Sequence, residues 1–357
     1  MTDGIPDATL AAAAGLAGGV LLGLAARLGR FCTLGAIEDA LYGGSTRRLS
    51  MWPLAIATAI VATAAAAWAG LLLPEETGYL RRAWNPLASI IGGLVFGYGM
   101  ALAGNCGYGA LARLGGGDVR ALVIVMVIGV SAHAVMSGPL APLRLALFPV
   151  AELPPGQVPP GIAHGLAALT GAAPVWPALA VAMLLAALAL RDGALRRDRA
   201  AIGWSVAVGL AIASGFAATG WIARTGFDAI RVESHSFTAP QGDAVLYLMT
   251  GSGGGIDFGI GSVAGVVLGA FLGATLRRQF RWEACDDARE LARQVAGAAL
   301  MGFGGVVAFG CSVGQGLSAF AVLAHSAPVT LTAIAAGAAL GLRQLIGGLS
   351  PGAGGRF

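Results

Sequence analysis

The sequence predicts an all-α polytopic membrane protein of about nine transmembrane helices plus short half-helices, built as two inverted repeats, and three observations carry that prediction. Of 357 residues, 57% are hydrophobic and only 11% charged, where an ordinary soluble domain has roughly 25% charged residues. Several apolar runs reach 18 residues or more, enough for each to cross a ~30 Å hydrocarbon core with its backbone groups paired inside the helix. A pattern of glycine and cysteine recurs at an offset of 205 residues. The 57 glycines lie scattered in apolar sequence without a G-X-Y period, which excludes collagen and disorder. Residues 1–357 read as a single membrane domain.

Apolar runs set against Arg clusters and Pro/Gly punctuation place the spans in order. The first is 8–28. The opening MTDGIPDATL carries two Asp and no basic residue, unlike the positive start of a cleavable signal peptide, so this span is expected to stay. IEDALYGG follows, too short to cross, and reads as a half-helix or interfacial loop. Spans 51–73, 87–111 and 119–137 complete a first repeat, 8–137. A connecting segment, 138–201, holds the Pro-rich stretch 139–161 and one span, 174–190. The second, inverted repeat, 202–347, holds spans 202–221, 257–276, 294–323 and 328–347, with the short GDAVLYLMTG ahead of 257–276.

All 22 basic residues are Arg. An N-terminus outside and a C-terminus in the cytoplasm put 17 of them on the cytoplasmic side and 5 on the other. Arg191, Arg196, Arg197 and Arg199 share one such loop; Arg277, Arg278 and Arg281 share another. That is the positive-inside asymmetry of an inner (cytoplasmic) membrane protein, and an even number of spans would break it. With 18 acidic residues against these and no polybasic tail, nucleic acid is not expected as a partner.

The repeat is strongest where GYGMALAGNCGYG (97–109) lies over GFGGVVAFGCSVG (302–314), which sets Cys106 on Cys311, Gly97 on Gly302, Gly99 on Gly304 and Gly109 on Gly314. Thr33 meets Thr238, so RFCTL faces HSFTA and Cys32 pairs with Phe237. The copies begin at spans one and six, an odd displacement that turns one upside down relative to the other. Inverted repeats with interrupted segments at matching places mark transporter folds whose binding site lies near the midplane. Here those segments are RFCTLG, AGNCGYG, HSFTAP and FGCSVGQG.

The four cysteines are too dispersed for a disulfide framework or a zinc motif. Cys285, in RWEACDDAR, reads as a plain or exposed thiol of a charged cytoplasmic loop. A Cys in an apolar helix is ordinarily a small buried hydrophobe, but the neighbours of Cys106 and Cys311 point elsewhere. Gly107 and Gly109 in one copy, and Gly310, Gly314 and Gly316 in the other, permit a broken helix, tolerated at membrane depth only where it is buried in protein or lines a cavity. Asn105 and Gln315 add amide donors. No Arg sits in the central segments around Cys106 and Cys311, and a fixed charge there would hold an anion too tightly for conduction. What remains is half-helix N-termini, which favour anions, and soft S–H donors. The residues read as a transporter or pore for a small anion carrying a soft atom, not an enzyme, with no cofactor or metal.

Four blocks in order, GRFCTLGAIEDAL (29–41), GYGMALAGNCGYGALARLGGG (97–117), SFTAP (236–240) and ALMGFGGVVAFGCSVGQGLS (299–318), resemble the YeeE/YedE family of bacterial membrane proteins. The resemblance covers most of the chain. It implies nine spans in two inverted halves, an hourglass-like path, thiosulfate as substrate, and three cysteines that map onto Cys32, Cys106 and Cys311. Cys106 and Cys311 would be the central pair that hydrogen-bonds the terminal sulfur, with Cys32 nearer one mouth. Family members are also associated with cytoplasmic sulfur carriers of the TusA type. No such domain is appended here, so a carrier would be a separate chain, with the Arg-rich stretch 277–293 either its dock or an ordinary positive-inside loop.

The expectation is an inner-membrane transporter that takes up thiosulfate, handed from Cys32 to Cys106 and Cys311 by successive thiol hydrogen bonds. Asn105, Gln315, Gly107, Gly310 and Thr238 complete the expected substrate-binding set. A covalent persulfide relay is the chemical alternative. Moving a dianion inward against a negative-inside potential costs about 4.6 kcal/mol per 100 mV, so uptake needs fast consumption, a steep gradient or coupled cations. Glu38, Asp39, His133 and Asp257 are candidate proton carriers, each equally readable as an interfacial or packing residue. The competing class is a membrane-embedded sulfurtransferase, which needs a low-pKa thiol beside a cation; Arg30 near Cys32 keeps it open. A permease for another sulfur or selenium species is the remaining alternative. A purely structural subunit leaves the repeated Gly/Cys segments unexplained.

Overall fold

A computed structural model describes residues 6–154, 156–251, 255–283 and 287–347. Helices dominate, and no β-strand occurs among the described residues beyond three isolated bridges. In order they are α1 (Asp7–Leu28), α2 (Thr33–Leu41), α3 (Arg47–Trp68), α4 (Pro86–Ala103), α5 (Gly107–Gly115), α6 (Val119–Met136), α7 (Ala141–Leu147) and α8 (Ile162–Thr170). Then come α9 (Val175–Arg191), α10 (Gly193–Arg197), α11 (Arg199–Thr225), α12 (Ala239–Thr250), α13 (Phe258–Leu276), α14 (Ala288–Val307), α15 (Ala319–Ala321) and α16 (Ser326–Gly347).

Seven helices, α1, α3, α4, α6, α11, α13 and α16, are long and apolar enough to cross a membrane. Helix α9, apolar over 17 residues, and α14, whose first turn carries Arg289 and Glu290, fall on the remaining two expected spans. The stretches expected as IEDALYGG and GDAVLYLMTG form α2 and α12. Two expected spans are not single helices. The 87–111 run stops at Gly104, left-handed at φ 74°, and restarts at Gly107. The 294–323 run stops at Val307 and restarts as a π turn, Gly314–Ser318, that leads into α15. Mean hydropathy across these runs stays high through the breaks, so a windowed apolar run cannot reveal them; the glycines that permit them can.

Lipid chains are as apolar as leucine, so helices associate in a bilayer by close packing of small residues more than by hydrophobicity. Between α1 and α13 this reaches backbone contact. A Cβ on Gly15, Gly19 or Gly23 would lie 2.1–2.4 Å from carbonyls of Phe258, Ser262 and Val266, and one on Gly261, Gly265 or Gly269 would lie 2.0–2.3 Å from those of Ala12, Leu16 and Val20. Helix α4 meets α16 in the same way, Gly97 against Ile334 and Gly337 against Leu94. The pairings mirror each other: α1 packs on α13 and α11 on α3, α4 on α16 and α14 on α6, while α1 touches α11 and α4 touches α14.

Loops meet at two ends. At one, Asp7 Oδ2 accepts from the backbone N–H of Phe227 and Asp228 at 2.6 and 2.9 Å, Arg224 donates to the Gly70 carbonyl, and Leu153 N donates to Arg81 O at 2.9 Å. At the other, Arg47 pairs with Asp198, Ser50 Oγ donates to Asp192 at 2.9 Å, Val119 N donates to Glu283 O at 3.0 Å and Arg277 donates to Leu28 O at 3.0 Å. The Arg-rich loops thus share one end.

Filling one of these backbone contacts should destabilise the bundle by about 1–3 kcal/mol or more. Gly265→Val, whose side chain would collide with Leu16 O, is expected to lower the melting temperature in detergent. Gly203→Ala, with nothing within 4 Å of its Cβ position, is expected to hold or raise it.

Candidate functional site

The four segments singled out in the sequence become the N-terminal tips of four short helical elements. Cys32 precedes α2, Cys106 precedes α5, Phe237 and Thr238 precede α12, and Cys311 precedes the π turn. Such a tip presents N–H groups with no partner inside the helix, together with the positive end of its dipole.

The two central thiols are held alike. Cys106 Sγ accepts from Gly109 N at 3.4 Å and Cys311 Sγ accepts from Gly314 N at 3.3 Å, the same bond at the 205-residue offset. Each sulfur accepts from the backbone, and each thiol also has a serine hydroxyl beside it, Ser312 at Cys106 and Ser236 at Cys311. Cys311 Sγ accepts a second bond, from Phe237 N at 3.2 Å, and lies 3.8 Å from Ser236 Oγ. Cys32 makes no such cap. Cys106 and Cys311 are buried while Cys32 is half-buried, and all three are free thiols. Cys106 lies within electrostatic range of both other thiols.

The tips lock to one another. Gln241 Nε2 on α12 donates to Gly107 O at 2.8 Å, and the Tyr108 and Phe237 rings lie 5.5 Å apart. A Cβ on Gly107 would reach within 2.6 Å of Phe237 O, so glycine there is a steric requirement. Gln315 Nε2 donates to the carbonyls of Ala308 and Phe309 at 2.9 and 3.0 Å, capping the end of α14. Gly310 has φ 149°, a region open to glycine. Asn105, oriented so that its N–H donates to Cys106 O at 3.2 Å, accepts from Arg113 at 3.3 Å.

Three hydroxyls stand beside these thiol positions: Thr33 and Thr238 are buried and lack a hydrogen-bond partner inside the protein, and the buried Ser312 reaches the Cys106 thiol. Buried polar groups are ordinarily satisfied, and Thr33 and Thr238, like the amide oxygens of Gln241 and Gln315, are exceptions at the tips. The sequence signals neither Thr33 nor Ser312 beyond making Thr33 the repeat mate of Thr238. The backbone N–H of Phe237 was missed as well, since the repeat drew attention only to its lacking a thiol.

The candidate proton carriers do not gather at the tips. Asp39 pairs with Arg48 at 3.2 Å, Asp257 Oδ1 caps α13 at Ile260 N (2.8 Å), and His133 on α6 faces Asp243 on α12 at 3.4 Å. Glu38 lies on α2. The contact of Arg30 runs through its carbonyl, which accepts from Arg48 at 3.3 Å. Cys285 lies outside the described residues. In the loop between α11 and α12, burial first, then Asp257 and Asp243, push Glu233 up to about 7, with Arg231 opposing.

A family model described as "Sulphur transport" matches residues 28–340. The Thiosulfate transporter TsuA of Escherichia coli (strain K12) is 29% identical over 319 residues, covering 85% of this chain and 86% of that protein. The Thiosulfate transporter TsuA of Spirochaeta thermophila (strain ATCC 700085 / DSM 6578 / Z-1203) is 32% identical over 129 residues, covering 35% and 36%.

Two outcomes follow from the geometry. In a Cys285→Ser background, a maleimide should modify Cys32 in native protein and reach Cys106 and Cys311 only after unfolding, as read by mass spectrometry. Because the fold favours neutral Glu233, its stabilising share is complete below the ordinary 4.5 and is lost as pH rises through about 7. The melting temperature of the wild type should fall over that window relative to Glu233→Gln.

Proposed function

The chain belongs to the Sulphur transport family, and from that premise we propose that it takes up thiosulfate through its thiol-lined centre. The observation that carries this reading is the matched pair of capped thiols, Cys106 and Cys311, each with its sulfur fixed by a backbone N–H, which leaves the S–H as its donor. Such a donor suits the terminal sulfur of thiosulfate. The hydroxyls of Thr33, Ser312 and Thr238 and the free N–H groups of the tips suit its oxygens. Sulfate lacks the soft end. Two relatives are named thiosulfate transporters.

Inner-membrane topology with the N-terminus outside and the C-terminus in the cytoplasm is supported by the Arg-rich loops 29–46, 192–198 and 277–283 sharing one end. In that frame Cys32, which follows α1, lies toward the cytoplasm. Cys311, which neighbours Ser236 and lies within electrostatic range of Tyr79 in the loop after α3, lies toward the outside. Uptake therefore runs Cys311, Cys106, Cys32, the reverse of the order expected from the sequence. The mirrored pairings support two inverted repeats, 8–137 and 202–347, joined by 138–201 with α9 as its span. A TusA-type carrier would meet the end that bears Arg277 and Arg281. The sulfurtransferase alternative needs a cation at a thiol, and the contact seen for Arg30 turns its carbonyl to Arg48 instead. A permease for another sulfur or selenium species uses the same thiols and differs only in the guest.

Sealed vesicles containing this protein alone should accumulate intact labelled thiosulfate, with excess sulfate competing weakly. Cys106→Ala and Cys311→Ala should each lose at least about tenfold of the rate, roughly the 1.4 kcal/mol or more of one lost charge-assisted bond. Sulfane sulfur accumulating on a cysteine with no label inside would favour sulfur transfer.

A further inference from the structure

The two helix breaks fall at the same place at the 205-residue offset, and one of the differences between them concerns backbone conformation. Gly104 and Phe309 occupy the same place, both left-handed, at φ 74° and 57°. Glycine adopts that conformation freely, and a bulky residue does so at a cost. The second break keeps phenylalanine there, and its ring has two partners. Arg82 lies over the face with its Cζ 4.5 Å from the centroid, and Tyr79 meets it edge-on at 5.6 Å and 79°.

These residues line a cavity of about 100 Å³. Arg82, Arg144 and Phe309 stand around it, and Tyr79 and Gln315 line it next to Cys311, whose carbonyl accepts from Gln315 N at 2.8 Å. Among the described residues no carboxylate forms a salt bridge with Arg82; the nearby Glu152 pairs with Arg81 at 3.9 Å. Burial, then repulsion from Arg231, Arg144 and Arg81, lowers the pKa of Arg82, with Glu152 opposing. Arg144 Nε is spent on Val135 O at 3.1 Å, which fixes its guanidinium. A guanidinium stacked on a ring keeps its in-plane N–H edge free, and that edge fits two oxygens of a tetrahedral anion.

We propose that Arg82, seated on the Phe309 ring and backed by Arg144, is an oxyanion-capture site outside the thiols that takes thiosulfate and sulfate alike by their oxygens. Where thiosulfate is concerned this rests on the uptake reading above. The site gathers divalent anions at the mouth and leaves discrimination to Cys311 and Cys106.

Calorimetric titration of purified protein with sodium sulfate and sodium thiosulfate at low salt tests this. Wild type should bind both. Arg82→Gln should weaken both by about tenfold, Arg82→Lys less, and Cys311→Ser should leave sulfate binding unchanged. Phe309→Gly should weaken both while melting no lower than wild type, because it removes the left-handed strain. In vesicles Arg82→Gln should raise KM and keep the maximal rate within about twofold. Sulfate failing to bind wild type, or binding Arg82→Gln or Phe309→Gly as it binds wild type, would overturn the capture site. Arg82-dependent sulfate binding without any thiosulfate uptake would uphold the site and sink the transport reading. Thiosulfate uptake with a KM indifferent to Arg82 would do the reverse.

Discussion

Peptide groups inside hydrocarbon must find partners within the protein, and everything at the centre of this bundle answers that demand. Four helical elements begin there, each opening with N–H groups that no preceding turn can satisfy. Cys106 and Cys311 answer one N–H apiece, Gln315 answers two carbonyls left by α14, and Gln241 ties α12 to the tip of α5. The glycine-lined contacts of α1 with α13 and of α4 with α16 bring helices close enough for the tips to meet. Remove the close packing and the breaks open to lipid, where they cannot exist.

The choice of cysteine for the two caps is informative in itself. Serine, threonine, aspartate and asparagine are the strong N-cap residues, and the last two are used elsewhere in this chain: Asn85, Asp118, Asp192, Asp198, Asp257 and Asp287 all cap helices. A thiol accepting at 3.3–3.4 Å is a weak substitute. Both halves nonetheless place sulfur at the break, so helix stability is not what the sulfur serves. Its remaining assets are a polarizable surface and a mild donor, which fit a guest that must be held and then released.

Much of this was legible in the sequence because membrane physics writes in long patterns. Apolar runs placed nine segments that became helices, and the offset of 205 residues picked out all four tips before any contact was known. Breaks inside 87–111 and 294–323 were invisible to hydropathy, which averages over a window longer than the break. The order proposed for the cysteines follows from the Arg asymmetry: for a chain that starts outside, Cys32, at the end of α1, falls at the inner face. Thr33 and Ser312 carry no signal in the sequence because a hydroxyl becomes informative only when its burial and its surroundings are known. Phe309 was hidden differently, since a repeat is read for its matches and this residue matters as a mismatch with Gly104.

The placement of charge along the path follows from dielectric. A full charge 4 Å from an anion is worth about 1 kcal/mol in water and about 4 kcal/mol at an effective dielectric of 20. Arg82 stands at the water-facing mouth beside Phe309, which is 43% exposed, so its attraction is strong enough to gather anions and weak enough to let them go. Carried to the level of Cys106, the same guanidinium would trap a dianion. There the chain offers thiols, hydroxyls and helix tips, whose partial charges lose less to desolvation and hold less. Exposure decreases from Arg82 to Gln315 and Cys311, and formal charge disappears along the same direction. A shallow succession of sites of this kind is what conduction requires.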